Sequence, residues 1–152
     1  MRKNKDIYLL VGDLGYGGAD KIRDEFPDRF LNVGAAEQTM LDIAVGLAYE
    51  GKLPFCYTIT PFFFRGFETI RTYIAHENLP VFLVGSGRDR DYAHDGFSHD
   101  ASDMKRIFNE LESIVQYYPN SLEEVEASFK LILDYKFPSF ISLAREVKHG
   151  QS

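Results

Sequence analysis

The hydrophobic positions of this chain fall into short blocks whose period switches between that of strands and that of helices. Ile7 to Val11 is a continuous apolar run closed by Gly12-Asp13, as expected of a strand covered on both faces of a parallel sheet. Ala19 to Phe26 reads as a short helix stopped by Pro27. Phe30 to Val33 predicts a second strand, followed by a tight Gly34-Ala35 turn and a helix from about Ala36 to Glu50. Between Met40 and Ala48 the only polar side chain is Asp42, so this helix is expected to be buried on most sides, by its own sheet and by a second chain. Phe55 to Thr60 is rich in aromatic and β-branched residues and predicts a strand, and Pro61 opens a helix at its favoured first position. Val81 to Gly85, Ile114 to Tyr118 and Phe140 to Leu143 supply the remaining strands. Ser121, with Glu124 three residues on, makes a capping box ahead of a Leu122, Val125, Phe129, Ile132 stripe that reads as core. Strands alternating with helices predict an α/β fold, a doubly wound and mainly parallel sheet of about six strands, with residues 1–152 forming one domain.

Composition narrows the function. A length of 152 residues supports one sizeable core and no second domain. A net charge of −6 argues against nucleic acid, which selects a basic footprint. The single Cys56 lies in an apolar run, cannot form an internal disulfide, and reads as a core residue rather than a nucleophile. The N-terminus MRKNKD is basic, but the apolar run after it is too short for a signal peptide or membrane span, so a cytoplasmic protein is expected.

Candidate chemistry gathers in three places. GDLGYGG has four glycines in seven residues but matches neither the dinucleotide fingerprint nor a phosphate-binding P-loop, and reads as a turn. Within it Asp13 is the polar group best placed at the carboxyl end of the first strand, where α/β sheets hold ligands. Glu37 sits in the first turn of the apolar helix, where spacing alone allows a dipole-matched end residue or a chemical group. Phe62, Phe63, Phe64 and Phe67 crowd the helix after Pro61, and the last three read as core. From Ser86 to Ser102 the chain has no periodicity and is dense in charge, as functional loops often are. Its His94, Asp95, His99 and Asp100 are metal-ligating types, but a His spacing of five suits neither a helix face nor a zinc pattern.

The stretches PDRFLNVGAAEQ, GLAYEGKLPFCYTIT, FFFRGFETIR, NLPVFLVGS and DGFSHD follow one another in an order and at a spacing that resemble the pyrimidine-binding domain of the transketolase group of thiamine diphosphate enzymes. Transketolase and deoxyxylulose-phosphate synthase match alike, over about Val11 to Arg145. The resemblance implies that Glu37 bonds the pyrimidine ring nitrogen of thiamine diphosphate and passes it a proton. The exocyclic amine can then, in its imino form, deprotonate the thiazolium. It implies that Phe62 and Arg65 line the aminopyrimidine pocket and that Asp13 lies near the cofactor. It places Asp95 on the sugar hydroxyls, His99 over the reacting carbons as a second catalytic residue, and Arg145 on the substrate phosphate, with a plain surface arginine as the alternative for Arg145. The role of Glu37 needs an accessible neutral carboxyl; burial favours that form and a helix N-terminus opposes it. Desolvation by Ala35, Ala36, Met40 and facing aromatics is therefore expected to prevail.

In that family the diphosphate and its Mg2+ are held by a separate domain with a GDG motif and a downstream Asn, and Gly12-Asp13-Leu14 is not that motif. No metal site is expected in this chain. The resemblance thus implies a stand-alone subunit of a split enzyme that meets a partner subunit carrying the diphosphate-binding domain, as a homodimer or heterotetramer. Together they would transfer two-carbon ketol units between sugars or sugar phosphates. A non-catalytic regulatory or assembly subunit, or a decarboxylating carboligase subunit, are the alternatives. Phe97 replaces the family's Pro, Asp100 its Gln, and a phosphate-contacting His has no counterpart, for which Arg88 and Arg90 are the candidate substitutes.

Overall fold

In the computed structural model, which describes residues 1–15 and 17–145, the apolar β1 (Ile7–Val11) runs between β2 (Phe30–Asn32) and β3 (Leu53–Ile59). β3 pairs with β4 (Phe82–Ser86), β4 with β6 (Ser139–Leu143), and β6 with the edge strand β5 (Val115–Tyr117). Every pairing is parallel, which gives a six-stranded sheet in the order β2-β1-β3-β4-β6-β5. This is the doubly wound α/β architecture that the alternation of blocks predicted. Residue Tyr16 of the glycine-rich turn, and residues 146–152 of the expected single domain, lie outside the described residues.

Alternate residues along the strands feed two cores, as the pleat requires. On one face Leu10, Cys56, Leu83 and Phe140 meet α2 (Glu37–Tyr49), the helical stretch Thr60–Ala75 and α4 (Met104–Asn109). Phe140 is the centre of that side, with Phe108 stacked on it at 4.2 Å and Phe63 edge-on at 6.3 Å. On the other face Ile7, Phe55, Phe82, Val84 and Ile141 pack on Phe129, Ile132 and Leu133 of α5 (Leu122–Tyr135), with α1 (Asp20–Glu25) alongside. Cys56 is fully buried, and desolvation pushes its thiol far above the ordinary range, as befits a core residue.

Three expectations change. α2 buries a single stripe, Glu37, Met40, Leu41, Ala44, Val45 and Ala48, and leaves Gln38, Thr39, Asp42 and Gly46 exposed, so one chain does not bury it on most sides. Its outward face looked apolar in sequence because Ile43 and Leu47 flank the seam half-buried and Gly46 carries no side chain. The stretch after Pro61 is not one α-helix: Thr60–Gly66 is a 3-10 helix, α3 spans only Phe67–Thr69, and Ile70–Ala75 is π-helical. At three residues per turn, consecutive rings point three ways. Phe63 therefore enters the core, Phe62 is half-buried, and Phe64 is exposed rather than packed inside. Leu122 is likewise 67% exposed, because it lies outside the core that α5 enters through Phe129, Ile132 and Leu133.

The capping box forms with one exchange of partner: Ser121 Oγ accepts from the Glu124 amide at 3.2 Å, while the Glu124 carboxylate accepts from the amide of Asn120 at 2.7 Å. Gly66 brings the irregular stretch against α2. A Cβ at that position would run into Leu41 Cδ1 and lie 3.4 Å from the backbone of Gln38, and Leu41 is itself fully buried. Gly66→Ala should therefore destabilise the chain by about 1–3 kcal/mol, the usual cost of overpacking. Urea unfolding should show a lower midpoint with an unchanged slope; an unchanged midpoint would mean that the two segments separate freely.

Candidate functional site

The chain leaves β1 for β2 on one side and reaches β3 on the other, so the strand order reverses between β1 and β3. The crevice at the carboxyl ends of such a pair is where parallel α/β sheets receive ligands. Gly12 follows β1, Glu37 opens α2 after β2, and Thr58 and Thr60 lie at the end of β3, so three separate crossings converge there.

Glu37 is 1% exposed despite its charge. Its Oε2 accepts from Arg65 Nη1 at 2.8 Å, and its Oε1 accepts a longer bond from Thr58 Oγ1 at 3.4 Å. The same Arg65 guanidinium lies 4.9 Å from the centre of the Phe62 ring, and Phe62 in turn meets the His99 imidazole edge-on at 5.1 Å. Glycine at position 12 makes the approach possible: a Cβ there would sit 3.0 Å from Thr58 Oγ1 and 3.4 Å from Glu37 Oε1. Thr60 anchors the neighbouring loop, its hydroxyl donating to the carbonyls of Ser86 at 3.2 Å and Gly87 at 2.5 Å. Glu37, Arg65, Phe62 and His99 thus form one continuous line of contacts. The ion pair between Arg65 and Glu37 was not foreseen from sequence, which placed Arg65 beside the ring alone.

The other candidates stand apart from that line. Asp13 is exposed at the end of β1 in a left-handed conformation (φ 52°), its amide donating to Asn32 Oδ1 at 3.2 Å. The same oxygen accepts from Gly34 N at 2.9 Å, so Asn32 ties the loops after β1 and β2 together. Asp95 is exposed and pairs with His94 Nε2 at 3.2 Å. The Arg145 guanidinium lies 5.5 Å from the Tyr92 ring, and its amide donates to Asp91 Oδ2 at 2.8 Å. Of the two arginines considered for the missing histidine, Arg88 is engaged: its guanidinium donates to the Pro119 carbonyl at 2.7 Å, to Asn120 Oδ1 at 2.9 Å and to the Ser142 carbonyl. Arg90 is exposed, 3.8 Å from Asp100.

The loop from Ser86 to Ser102 is more ordered than its composition suggested. It holds two 3-10 turns, Ala93–Asp95 and Phe97–His99, hinged at Gly96 (φ 91°), and a bridge between Asp89 and Ala101 closes it. Asp100 accepts from both the amide and the hydroxyl of Ser102, which holds its carboxyl below the ordinary range. Among the described residues no three His, Cys, Asp or Glu side chains gather as a metal-ion group. Thr58, Gly12 and the anchoring role of Arg88 escaped the sequence reading. Thr58-Ile59-Thr60 offered the one usable signal, since alternate hydroxyls on a strand share a face.

The six-stranded, all-parallel sheet with helices on both faces places the chain in the doubly wound α/β class. The sequence matches the family "Transketolase, pyrimidine binding domain" over residues 1–148, and the chain belongs to that family. It is 30% identical over 146 residues to a putative transketolase C-terminal section from Methanocaldococcus jannaschii, covering 95% of this chain and 46% of that protein. It is 29% identical to the 6-deoxy-6-sulfo-D-fructose transketolase subunit SqwH of Clostridium sp., again over 95% of this chain and 45% of the relative. The chain therefore spans about half the length of these curated relatives. Among solved structures it superposes on a split-gene transketolase, described as an inactive beta4 tetramer, with a TM-score of 0.82 and 28% identity over 95% of this chain and 47% of that one.

The lowered Asp100 carboxyl gives a test of the loop. Its contribution to stability is present above the titration range of the unfolded chain and is lost as pH falls through the lower folded value. Carbon-detected NMR should place the Asp100 midpoint below that of a free aspartate, about 3.9. Ser102→Ala should move it back up; an unmoved midpoint would show that the Ser102 contacts do not hold the loop.

Proposed function

We propose that this chain is a subunit of a transketolase-like transferase and contributes the aminopyrimidine half of a thiamine diphosphate site. The observation that carries the reading is Glu37, buried at the strand-order reversal, with a planar cationic group lying between it and the Phe62 ring. A site with one buried carboxyl and one aromatic face suits a flat, nitrogen-rich ring whose edge nitrogen shares a proton with that carboxyl. It does not suit a diphosphate with its metal, which calls for several oxygen ligands. Family membership implies the cofactor. The half-length match to a transketolase C-terminal section, and the likeness to a split-gene transketolase, support a partner chain that holds the diphosphate and Mg2+.

Bound thiamine diphosphate supplies carbanion stabilisation, which no protein side chain offers. The task of this chain is to bind, orient and move a proton. Glu37 would meet the ring nitrogen of the bound cofactor and exchange a proton with it. Thr58 Oγ steadies the other carboxylate oxygen, Phe62 stacks on the ring, and Asp13 lies at the cofactor rim. His99, held edge-on against Phe62 with Nδ1 3.0 Å from Ser98 Oγ, faces the reacting carbons. Asp95 and Arg145, on the loop and at the end of β6, bind the hydroxyls and the terminal anionic group of a sugar or sugar phosphate. The reaction is transfer of a two-carbon ketol unit between such sugars.

Two measurements test this. Reconstituted with a diphosphate-domain partner, Glu37→Gln should lose most of its transferase activity while still assembling. Undiminished turnover would remove Glu37 from the chemistry, and assembly without any activity in the unmodified pair would favour a non-catalytic subunit. For the chain alone, a carboxylate hydrogen bond contributes roughly 1–3 kcal/mol and stacking about 1 kcal/mol, against association costs of at least about 4 kcal/mol. Calorimetry with thiamine diphosphate and Mg2+ should show no binding below the millimolar range until the partner is added. Micromolar affinity without the partner would place the diphosphate on this chain.

A further inference from the structure

The Arg65 guanidinium holds the position that the proposed site assigns to the pyrimidine. It is flat, it lies 4.9 Å from the Phe62 ring centre, and through Nη1 it donates an N–H bond of 2.8 Å to Glu37 Oε2. A bound aminopyrimidine carrying a proton on its ring nitrogen would make the same two contacts, with the same ring and the same carboxylate. The carboxylate oxygen has lone pairs for two donors, but one face of the Phe62 ring has room for only one flat group. We infer that Arg65 is an internal latch: in the cofactor-free chain it stands in for the pyrimidine, and it must swing out before the cofactor ring can enter. The inference rests on the pyrimidine-site reading above and reverses the part that the resemblance implied for Arg65, that of a cation assisting the ring.

The physical case begins with Glu37. A carboxylate at 1% exposure needs a partner, and Thr58 at 3.4 Å is a weak one. Arg65 fills the need from a side chain that remains 53% exposed, so it can leave without crossing the core. Its remaining protein contact at the site is a long one, Nη1 to the Ala35 carbonyl at 3.5 Å. It is carried by the last turn of the 3-10 helix Thr60–Gly66, a geometry with poorer backbone bonding than an α-helix. Glu68, exposed and three residues further along, offers the released guanidinium a carboxylate on the neighbouring turn.

The latch gives the subunit selectivity. A ligand whose competent state is only partly populated binds more weakly by that fraction. A free pyrimidine must displace Arg65 unaided, whereas the intact cofactor, tethered through its diphosphate on a partner chain, competes at a raised effective concentration. The pocket therefore stays closed to loose heterocycles and opens to a cofactor delivered across the interface.

The test uses the 152-residue chain and 4-amino-2-methylpyrimidine as the probe, followed by NMR of the Arg65 guanidinium and of the Phe62 ring. Before addition, the Arg65 Nη hydrogens should be resolved and slowed in exchange by the bond to Glu37. On titration they should collapse to the averaged signal of a free guanidinium, with the same midpoint as the Phe62 shifts. Arg65→Met should bind the probe about tenfold more tightly, and Glu37→Gln should lose binding. Should the methionine variant fail to fold, the wild-type guanidinium signals decide the matter alone. Guanidinium signals that stay unchanged at saturation, or equal or weaker binding by a folded Arg65→Met, would overturn the latch; loss of binding in Glu37→Gln would then leave the pyrimidine site standing. Absence of probe binding by every folded version at tens of millimolar would overturn the latch, and the site reading would then be decided by the activity of Glu37→Gln in the reconstituted pair.

Discussion

A buried carboxylate cannot be left alone, and the arrangement around Glu37 follows from that requirement. Its charge sits at the start of α2, where the first amides of the helix carry a partial positive charge, yet those amides do not suffice for a group at 1% exposure. The deficit is met from two other crossings of the sheet, Thr58 at the end of β3 and Arg65 from the helical stretch beyond it. Bringing Arg65 within reach requires that stretch to lie close on α2, hence glycine at 66, and glycine at 12 keeps the end of β1 clear of Thr58 and Glu37. The irregular helix between Thr60 and Ala75 fits the same demand, since its tight first part aims Phe62 at the site, Phe63 at the core and Arg65 back at Glu37.

The sheet has two reversals of strand order and treats them oppositely. Between β1 and β3 the crevice holds groups with chemical capacity and little bulk. Between β4 and β6 it is closed by Arg88, which follows β4 and donates to the carbonyl of Ser142 in β6 as well as to Pro119 and Asn120. Asp91 adds a second tie there, since one of its carboxylate oxygens accepts from the amides of Arg88 at 2.9 Å and Arg145 at 2.8 Å. One reversal thus gathers the candidate site, and the other is a foundation for the loop that bears Asp95 and His99.

Most of the architecture was legible because continuous apolar runs such as Ile7–Val11 and Val81–Gly85 have few uses other than central parallel strands. The start of α2 at Glu37 was legible from the Gly34-Ala35 turn before it. What escaped depended on where chains cross rather than on any local pattern. Phe64 and Leu122 looked like core residues because apolarity in a sequence does not say which way a 3-10 turn points or where a helix leaves the sheet. Arg65 was assigned to the ring and not to the carboxylate, because 28 positions separate it from Glu37 and only the packing around Gly66 brings them together. Arg88 looked like a candidate for binding phosphate, and its partners at Pro119 and Ser142 are equally remote in the chain.

Gly12 offers a handle of another kind. Its missing Cβ faces both oxygen-bearing partners of the site, Thr58 Oγ1 at 3.0 Å and Glu37 Oε1 at 3.4 Å, and its φ is not left-handed, so an alanine meets no backbone penalty of conformation. A single methyl group there would press on the Thr58 hydroxyl and on the carboxylate with no change in charge, Thr58 giving way by a few tenths of an ångström. That makes residue 12 a steric dial on Glu37, through which crowding could be varied independently of electrostatics, and through which a modified heterocycle trimmed to fit the methyl could be matched to an altered protein as a private pair.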